Sequence, residues 1–177
     1  EACSNLGLNL SKYTYTVEVN VASDAQSTYS DGDSGSRNQF FFRLQFENGS
    51  SGYVLANQQI TSDGFRAGQT ETFTVRTNEN YGDVTAVQII PETKNSEDYT
   101  YDKLNIDSIR VIQNSTTSMS RTWTVSSVGW VGADYRDPGT ESGLRSQKGR
   151  YEAELAKTFK VDYTTNVANL LFCLSTG

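Results

Sequence analysis

No histidine occurs anywhere in the 177 residues. That absence removes the Ser-His-Asp triad, the Cys-His dyad and every histidine-ligated metal site from consideration. Apolar runs are short, and none approaches the roughly 18 residues that a membrane-spanning helix needs. Cysteine is scarce, with only Cys3 and Cys173. A pair so widely separated fits no zinc motif. Basic residues are outnumbered, 15 Lys and Arg against 21 Asp and Glu, which gives a net charge of −6. Such a balance argues against nucleic acid, whose phosphates are met by basic patches. It also argues against binding anionic membranes through charge alone.

With 20% charged and 36% hydrophobic residues the chain is neither a disordered polyampholyte nor a membrane protein, and its length suits one domain with an appendage. The two cysteines admit two readings: a Cys3–Cys173 disulfide, or two buried thiols of a cytosolic protein. A bond closing so long a loop is worth about 5 kcal/mol at most in the chain-entropy model. Three glycosylation sequons, at Asn9, Asn48 and Asn114, favour the oxidising, secreted reading. No signal peptide is visible, so the expectation is a mature secreted chain, with Glu1-Ala2 read as a processing scar.

Tyr13, Tyr15, Val17, Val19 and Val21 alternate with polar residues, the period-two pattern of a half-buried strand. Phe40, Phe42, Leu44 and Phe46 repeat it. Shorter strands are expected at Gly52–Ala56, Glu71–Arg76, Val84–Ile90, Ile106–Ile112 and Arg121–Val125, separated by turn residues. Helical spacing is absent through residue 135. The pattern predicts an all-β fold, an antiparallel β-sandwich of two four-stranded sheets. Residues 1–135 form the sandwich, and residues 136–177 a C-terminal extension packed on it. Within the extension, Arg150–Lys157 reads as a helical turn or two, followed by a hairpin or edge strand across Thr158–Thr164.

Five pieces of this sequence, in order, resemble the PLAT domain, the β-sandwich module of lipoxygenases, pancreatic-type lipases, polycystins and a clostridial alpha-toxin. They are Tyr15-Thr-Val-Glu-Val19; Phe65-Arg66, Gly68, Glu71 and Phe73-Thr-Val75; Gly82-Asp83-Val84 with Val87 and Ile89; Leu104-Asn-Ile106-Asp107-Ser-Ile109-Arg-Val111; and Trp123-x-Val125 with Trp130-Val131. The resemblance covers about residues 13–133. It departs from the family pattern at two places. Leu104 stands where the family has tryptophan, and Arg37 follows Ser34-Gly35-Ser36 where the family has aspartate. By the same resemblance Trp130, at the end of the closing strand, is expected to be buried.

The resemblance implies recognition without catalysis. Glu18, Glu47, Glu71 and Glu79 are the candidates for an acid–base pair, and isolated acids on strand faces are ordinarily solvated surface. In calcium-binding PLAT domains carboxylates from three loops surround the ions. The set expected here is Asp31, Asp33, Ser36, Glu47, Asn48 and Asp98, completed by backbone carbonyls. Arg37 places a fixed positive charge beside that set, so the cofactor expectation is none, or weakly bound calcium. Without calcium, the Asp31–Gly35 segment is a solvated acidic loop.

Tyr29, Tyr53, Tyr99 and Tyr101 fall in or beside predicted loops and are the candidates for surface contact. Phe40, Phe42, Phe46, Phe73 and Trp123 sit on apolar strand positions and belong to the core. The expected function is a non-enzymatic, secreted binding module that docks to a membrane lipid surface or a partner protein. A carbohydrate- or surface-binding protein with a similar sandwich is the alternative.

Overall fold

A computed structural model describes residues 13–24, 34–91, 103–114, 120–132 and 156–167. Cys3, Asn9 and Cys173 lie outside the described residues, as does most of the segment expected to be helical.

Two antiparallel sheets face each other across one apolar core. The first sheet runs β11-β8-β7-β1-β5, and β9 also pairs with β7. Its strands are β1 (Tyr13–Val21), β5 (Thr70–Thr77), β7 (Leu104–Asn114), β8 (Ser120–Val125), β9 (Gly129–Val131) and β11 (Tyr163–Val167). The second sheet runs β10-β6-β2-β3, with β4 also on β2. It consists of β2 (Phe40–Phe46), β3 (Gly49–Ser50), β4 (Val54–Leu55), β6 (Val84–Pro91) and β10 (Lys157–Lys160). The sandwich is as expected, but among the described residues the sheets hold six and five strands in place of four each. The additions are short strands and the two from the C-terminal segment.

Alternation decides which side chains go inside. On β1, Tyr15, Val17, Val19 and Val21 are buried while their neighbours stay half-exposed. The outward positions pair across strands: Glu18 stands opposite Arg110, whose Nε donates to its Oε2 at 2.7 Å. Strand β2 sends Phe40, Phe42, Leu44 and Phe46 inward. There Phe42 meets Phe73 of β5 at 4.8 Å between ring centroids, and Phe40 meets Phe65 edge-on at 5.5 Å. Tyr15 and Trp123 complete the other half of the core, 6.3 Å apart. These rings include the largest fully buried side chains between the sheets.

The strand expected over Gly52–Ala56 is instead split into β3 and β4. Ser51 causes the break. Its amide donates to the Leu44 carbonyl at 2.9 Å, and its buried hydroxyl accepts from the Leu44 amide at 2.9 Å. A side chain thereby replaces a ladder carbonyl, and the chain bulges before pairing resumes at Val54 opposite Phe42.

At the C-terminal end Lys157, which closes the expected helical segment, opens β10. Strand β10 adds to the edge of the second sheet through β6, and β11 adds to the edge of the first through β8. Val161 and Asp162 carry the chain between the sheets. The Val161 amide donates to Thr85 O on one side and the Asp162 amide to Thr124 O on the other.

Candidate functional site

Strand β2 fixes which loops can meet. Phe40 stands opposite Pro91 and Phe46 opposite Val84, so the chain before β2 and the chain after β6 emerge at one end of the sandwich. Ser36 belongs to that end. It forms an isolated bridge with Phe65, the Ser36 amide donating to Phe65 O at 2.8 Å and the Phe65 amide to Ser36 O at 2.9 Å. Gly64 makes the approach possible. It has φ of 75°, and a Cβ there would sit 2.4 Å from the Ser36 carbonyl oxygen.

Glu47 and Asn48 leave β2 at the opposite end. There the Glu47 amide donates to Asp83 O at 3.1 Å, and the Asn48 amide to Tyr81 O at 3.0 Å. Seven strand residues separate the two ends, roughly 20 Å at about 3.3 Å per residue. The expected metal set is therefore corrected: Ser36 and the Glu47–Asn48 pair do not share a site. Asp31, Asp33 and Asp98 lie outside the described residues. Among the described residues no three His, Cys, Asp or Glu side chains cluster in a way that could hold a metal ion.

The segment that does approach Ser36 is the one from Ala56 to Gly68, together with Asp24. Asn57 accepts from the Phe40 amide at 3.0 Å and donates to Asn38 O at 2.9 Å. Asp24 accepts from the Ser34 amide at 2.9 Å. These oxygens are occupied in holding the loop ends together. Sequence reasoning missed Asn57 because no motif marks an amide whose partners are backbone groups 17 and 19 residues away.

The same end carries Trp130, whose expected burial the structure corrects. In the β7–β9 pairing Leu104 faces Val131 and Asn105 faces Trp130. Leu104 and Val131 are both fully buried, so Trp130 takes the outward position and is half-exposed. Two ammonium groups flank it. Lys103 Nζ lies 6.0 Å from the ring centroid, and Lys157 Nζ donates to the Trp130 carbonyl at 2.8 Å. The arrangement joins a large amphipathic ring to two cations.

Tyr53 is 46% exposed, the largest exposed apolar side chain among the described residues. It lies on the outer face of the second sheet. Its ring stacks under the Arg43 guanidinium at 5.1 Å, and its hydroxyl accepts from Arg43 Nη1 at 3.2 Å and donates to Gln88 Oε1 at 3.1 Å. Tyr29, Tyr99 and Tyr101 lie outside the described residues. Of the remaining sequon asparagines, Asn48 is exposed in the β2–β3 turn and Asn114 is the last residue of β7.

Three of the four glutamates expected as candidates for acid and base are held by partners. Glu18 is tied to Arg110, Glu71 to Arg66 at 2.8 Å, and Glu47 Oε2 accepts from the Asp83 amide at 3.1 Å. A shallow cleft of about 140 Å³ lies between the end of β5 and β3, lined by Ser50–Gly52, Arg76–Asn78 and Tyr81. Its Ser51 and Thr77 hydroxyls already donate to the Gly52 and Glu79 carbonyls. No helix among the described residues is long and apolar enough to cross a membrane.

Comparison with solved structures places this sandwich beside those of lipoxygenases. A lipoxygenase variant, Delta413-417:GS LOX, is 14% identical with a TM-score of 0.53; the match covers 84% of this chain and 16% of that one. Coral 8R-lipoxygenase, described as calcium-activated through a C2-like domain, is 18% identical with a TM-score of 0.50, over 84% of this chain and 17% of the enzyme. Alpha toxin from Clostridium absonum is 17% identical with a TM-score of 0.44, over 68% of this chain and 29% of the toxin. This chain thus spans about a sixth of the lipoxygenases it matches. No curated protein matches its sequence. The PLAT/LH2 domain profile matches residues 26–142, well over half of the chain, and the protein belongs to the PLAT/LH2 domain family.

Proposed function

We propose that this domain is a non-enzymatic binding module that docks on an anionic lipid surface through the end bearing Trp130. The observation that carries the reading is the half-exposed Trp130, with the Lys103 ammonium 6.0 Å from its ring centroid and the Lys157 ammonium on its backbone carbonyl. Tryptophan favours the membrane–water boundary, where its apolar body and polar edge are both accommodated. Lysines beside it attract lipid phosphates at about 1 kcal/mol each. The net charge of −6 opposes a long-range attraction, but charges beyond about 10 Å are screened at ordinary salt, so the local pair governs the contact. The glutamate geometry favours binding over hydrolysis, since each of Glu18, Glu47 and Glu71 is already held by a partner.

Co-sedimentation with phosphatidylcholine vesicles, with and without phosphatidylserine, tests this. The protein should pellet with the serine-containing vesicles. Trp130→Ala should weaken binding on all vesicles, and a Lys103→Glu/Lys157→Glu double variant should abolish the preference for phosphatidylserine. Failure to bind either vesicle would overturn the lipid reading and turn attention to a protein or carbohydrate ligand at Tyr53.

Calcium has at most a weak part in this proposal. Arg37 is exposed at the Ser36 end, and its guanidinium stays charged at any usable pH. Calorimetric titration should give weak binding or none for the natural protein and stronger binding for Arg37→Asp. Tight binding by the natural protein would show that Arg37 points away from the ion. The reading also includes secretion and a Cys3–Cys173 disulfide, which intact-mass measurement with and without reductant would detect as a two-proton difference.

A further inference from the structure

We infer that Asn48 is an N-glycosylation site, and that its sugar would project from the end of the sandwich opposite Trp130. The inference rests on the secreted reading above. Three sequons are present, and the structure separates them. Asn114 ends β7 with its backbone in register with Thr14 of β1, and Asn9 lies outside the described residues. Asn48 sits in the tight turn between β2 and β3 and is exposed.

A glycan needs an acceptor amide that the folded chain can leave in water. The Asn48 main chain is fixed, its amide donating to Tyr81 O at 3.0 Å. Its side chain is exposed, with Nδ2 beside Gly82, where an added Cβ would lie 3.3 Å from it. Ser50, the hydroxyl residue two positions on, receives a hydrogen bond from Arg43 Nη2 and keeps its own proton to give. Gly49 between them is required without reference to the sugar, because a Cβ there would lie 2.6 Å from the Tyr81 ring. The tripeptide is therefore a turn that packing demands and that also presents an acceptor.

The chemistry is transfer from a lipid-linked oligosaccharide pyrophosphate. The Asn48 Nδ2 atom forms a bond to the anomeric carbon as the bond from that carbon to the pyrophosphate oxygen breaks. The amide proton passes to an enzyme base, and the lipid pyrophosphate leaves. No oxidant or reductant is involved. Because β2 separates Asn48 from the Ser36 end by roughly 20 Å, a glycan there leaves the Trp130 end open for docking.

Cell-free translation of the full chain, fused to a secretory leader, in the presence of endoplasmic-reticulum microsomes tests the assignment without relying on export. Protease-protected chains should shift upward on a gel and lose the shift on treatment with an amide-cleaving glycosidase. Peptide mapping should find Asn48 converted to aspartate by that release. Asn48→Gln should remove the corresponding shift, while Asn114→Gln should leave it. Protected chains that carry no sugar at Asn48, or a shift that survives Asn48→Gln unchanged, would overturn the inference. Vesicle binding of unglycosylated protein is measured separately, so failure of the glycan leaves the lipid proposal standing and the converse also holds.

Discussion

Asn57 joins two backbone groups at the mouth of β2: its Oδ1 accepts from the Phe40 amide at 3.0 Å while its Nδ2 donates to the Asn38 carbonyl at 2.9 Å. Phe40 is fully buried, so its amide has no access to water if that acceptor is lost. Asn57→Ala should cost about 1–3 kcal/mol, the range for stranding buried polar groups. Asn57→Asp retains the acceptor and should cost less than the alanine change. Urea denaturation of the three proteins measures both. Equal midpoints for the natural protein and Asn57→Ala would mean that water replaces the amide without penalty.

The two tryptophans should respond unequally to truncation. Trp123 is 1% exposed and packs on Tyr15, so Trp123→Ala should destabilise by about 3–5 kcal/mol. Trp130→Ala removes an outward ring and should cost less than about 1 kcal/mol. Emission spectra give a second measure. A variant retaining only Trp123 should emit at shorter wavelength than one retaining only Trp130, and the reverse order would refute the β9 register.

The period-two signal made most of the fold legible. Tyr13–Val21 and Phe40–Phe46 could be drawn from alternation alone because each packs one face on the core. Trp130 could not be placed, since in a three-residue strand a one-residue change of parity exchanges inside for outside, and only the pairing of Leu104 with Val131 sets it. Ser51 was invisible for another reason: its hydroxyl acts as a backbone acceptor, which no hydropathy pattern records. Glu47 and Asn48 were grouped with Ser36 by the family resemblance, which implies three loops meeting at one end, whereas β2 carries them to the other end. A strand sends the chain to the far end of a sheet, and sequence proximity across it becomes spatial separation.

Tyr15 carries an unusual burden. Its hydroxyl and the Trp123 indole nitrogen are both buried without a hydrogen-bond partner among the described residues. Tyr15→Phe removes an unsatisfied group and keeps the ring, so it should be neutral or stabilising by up to about 1 kcal/mol. Burial also pushes the Tyr15 phenol above its ordinary value; the nearby Thr77 hydroxyl, whose own proton goes to the Glu79 carbonyl, offsets this only in part. A pKa raised on folding means that the neutral phenol favours the native state fully below the ordinary value of about 10 and loses that advantage as pH rises through the folded value. The natural protein should therefore lose stability above about pH 10 more steeply than Tyr15→Phe. Parallel alkaline limbs would assign the loss to other groups.

The crossover between the sheets should give the protein an acid-sensitive joint. Asp162 sits between β10 and β11, where its Oδ2 accepts from the Ser126 amide at 2.9 Å and from the Ser126 hydroxyl. Those bonds to Ser126, the side-chain one foremost, hold its carboxyl below the usual range. A pKa lowered on folding stabilises the native state above the unfolded value of about 3.9, and that contribution disappears as pH falls through the folded value. Because Asp162 is exposed, solvent screening keeps the effect small. Asp162→Asn keeps an acceptor but removes the charge. Melting temperatures measured from about pH 2 to pH 6 should lie lower for the variant above about pH 4 and converge with the natural protein below it. Curves that stay apart by the same margin down to the lowest pH would show that the carboxylate charge has no part in holding β10 and β11 in place.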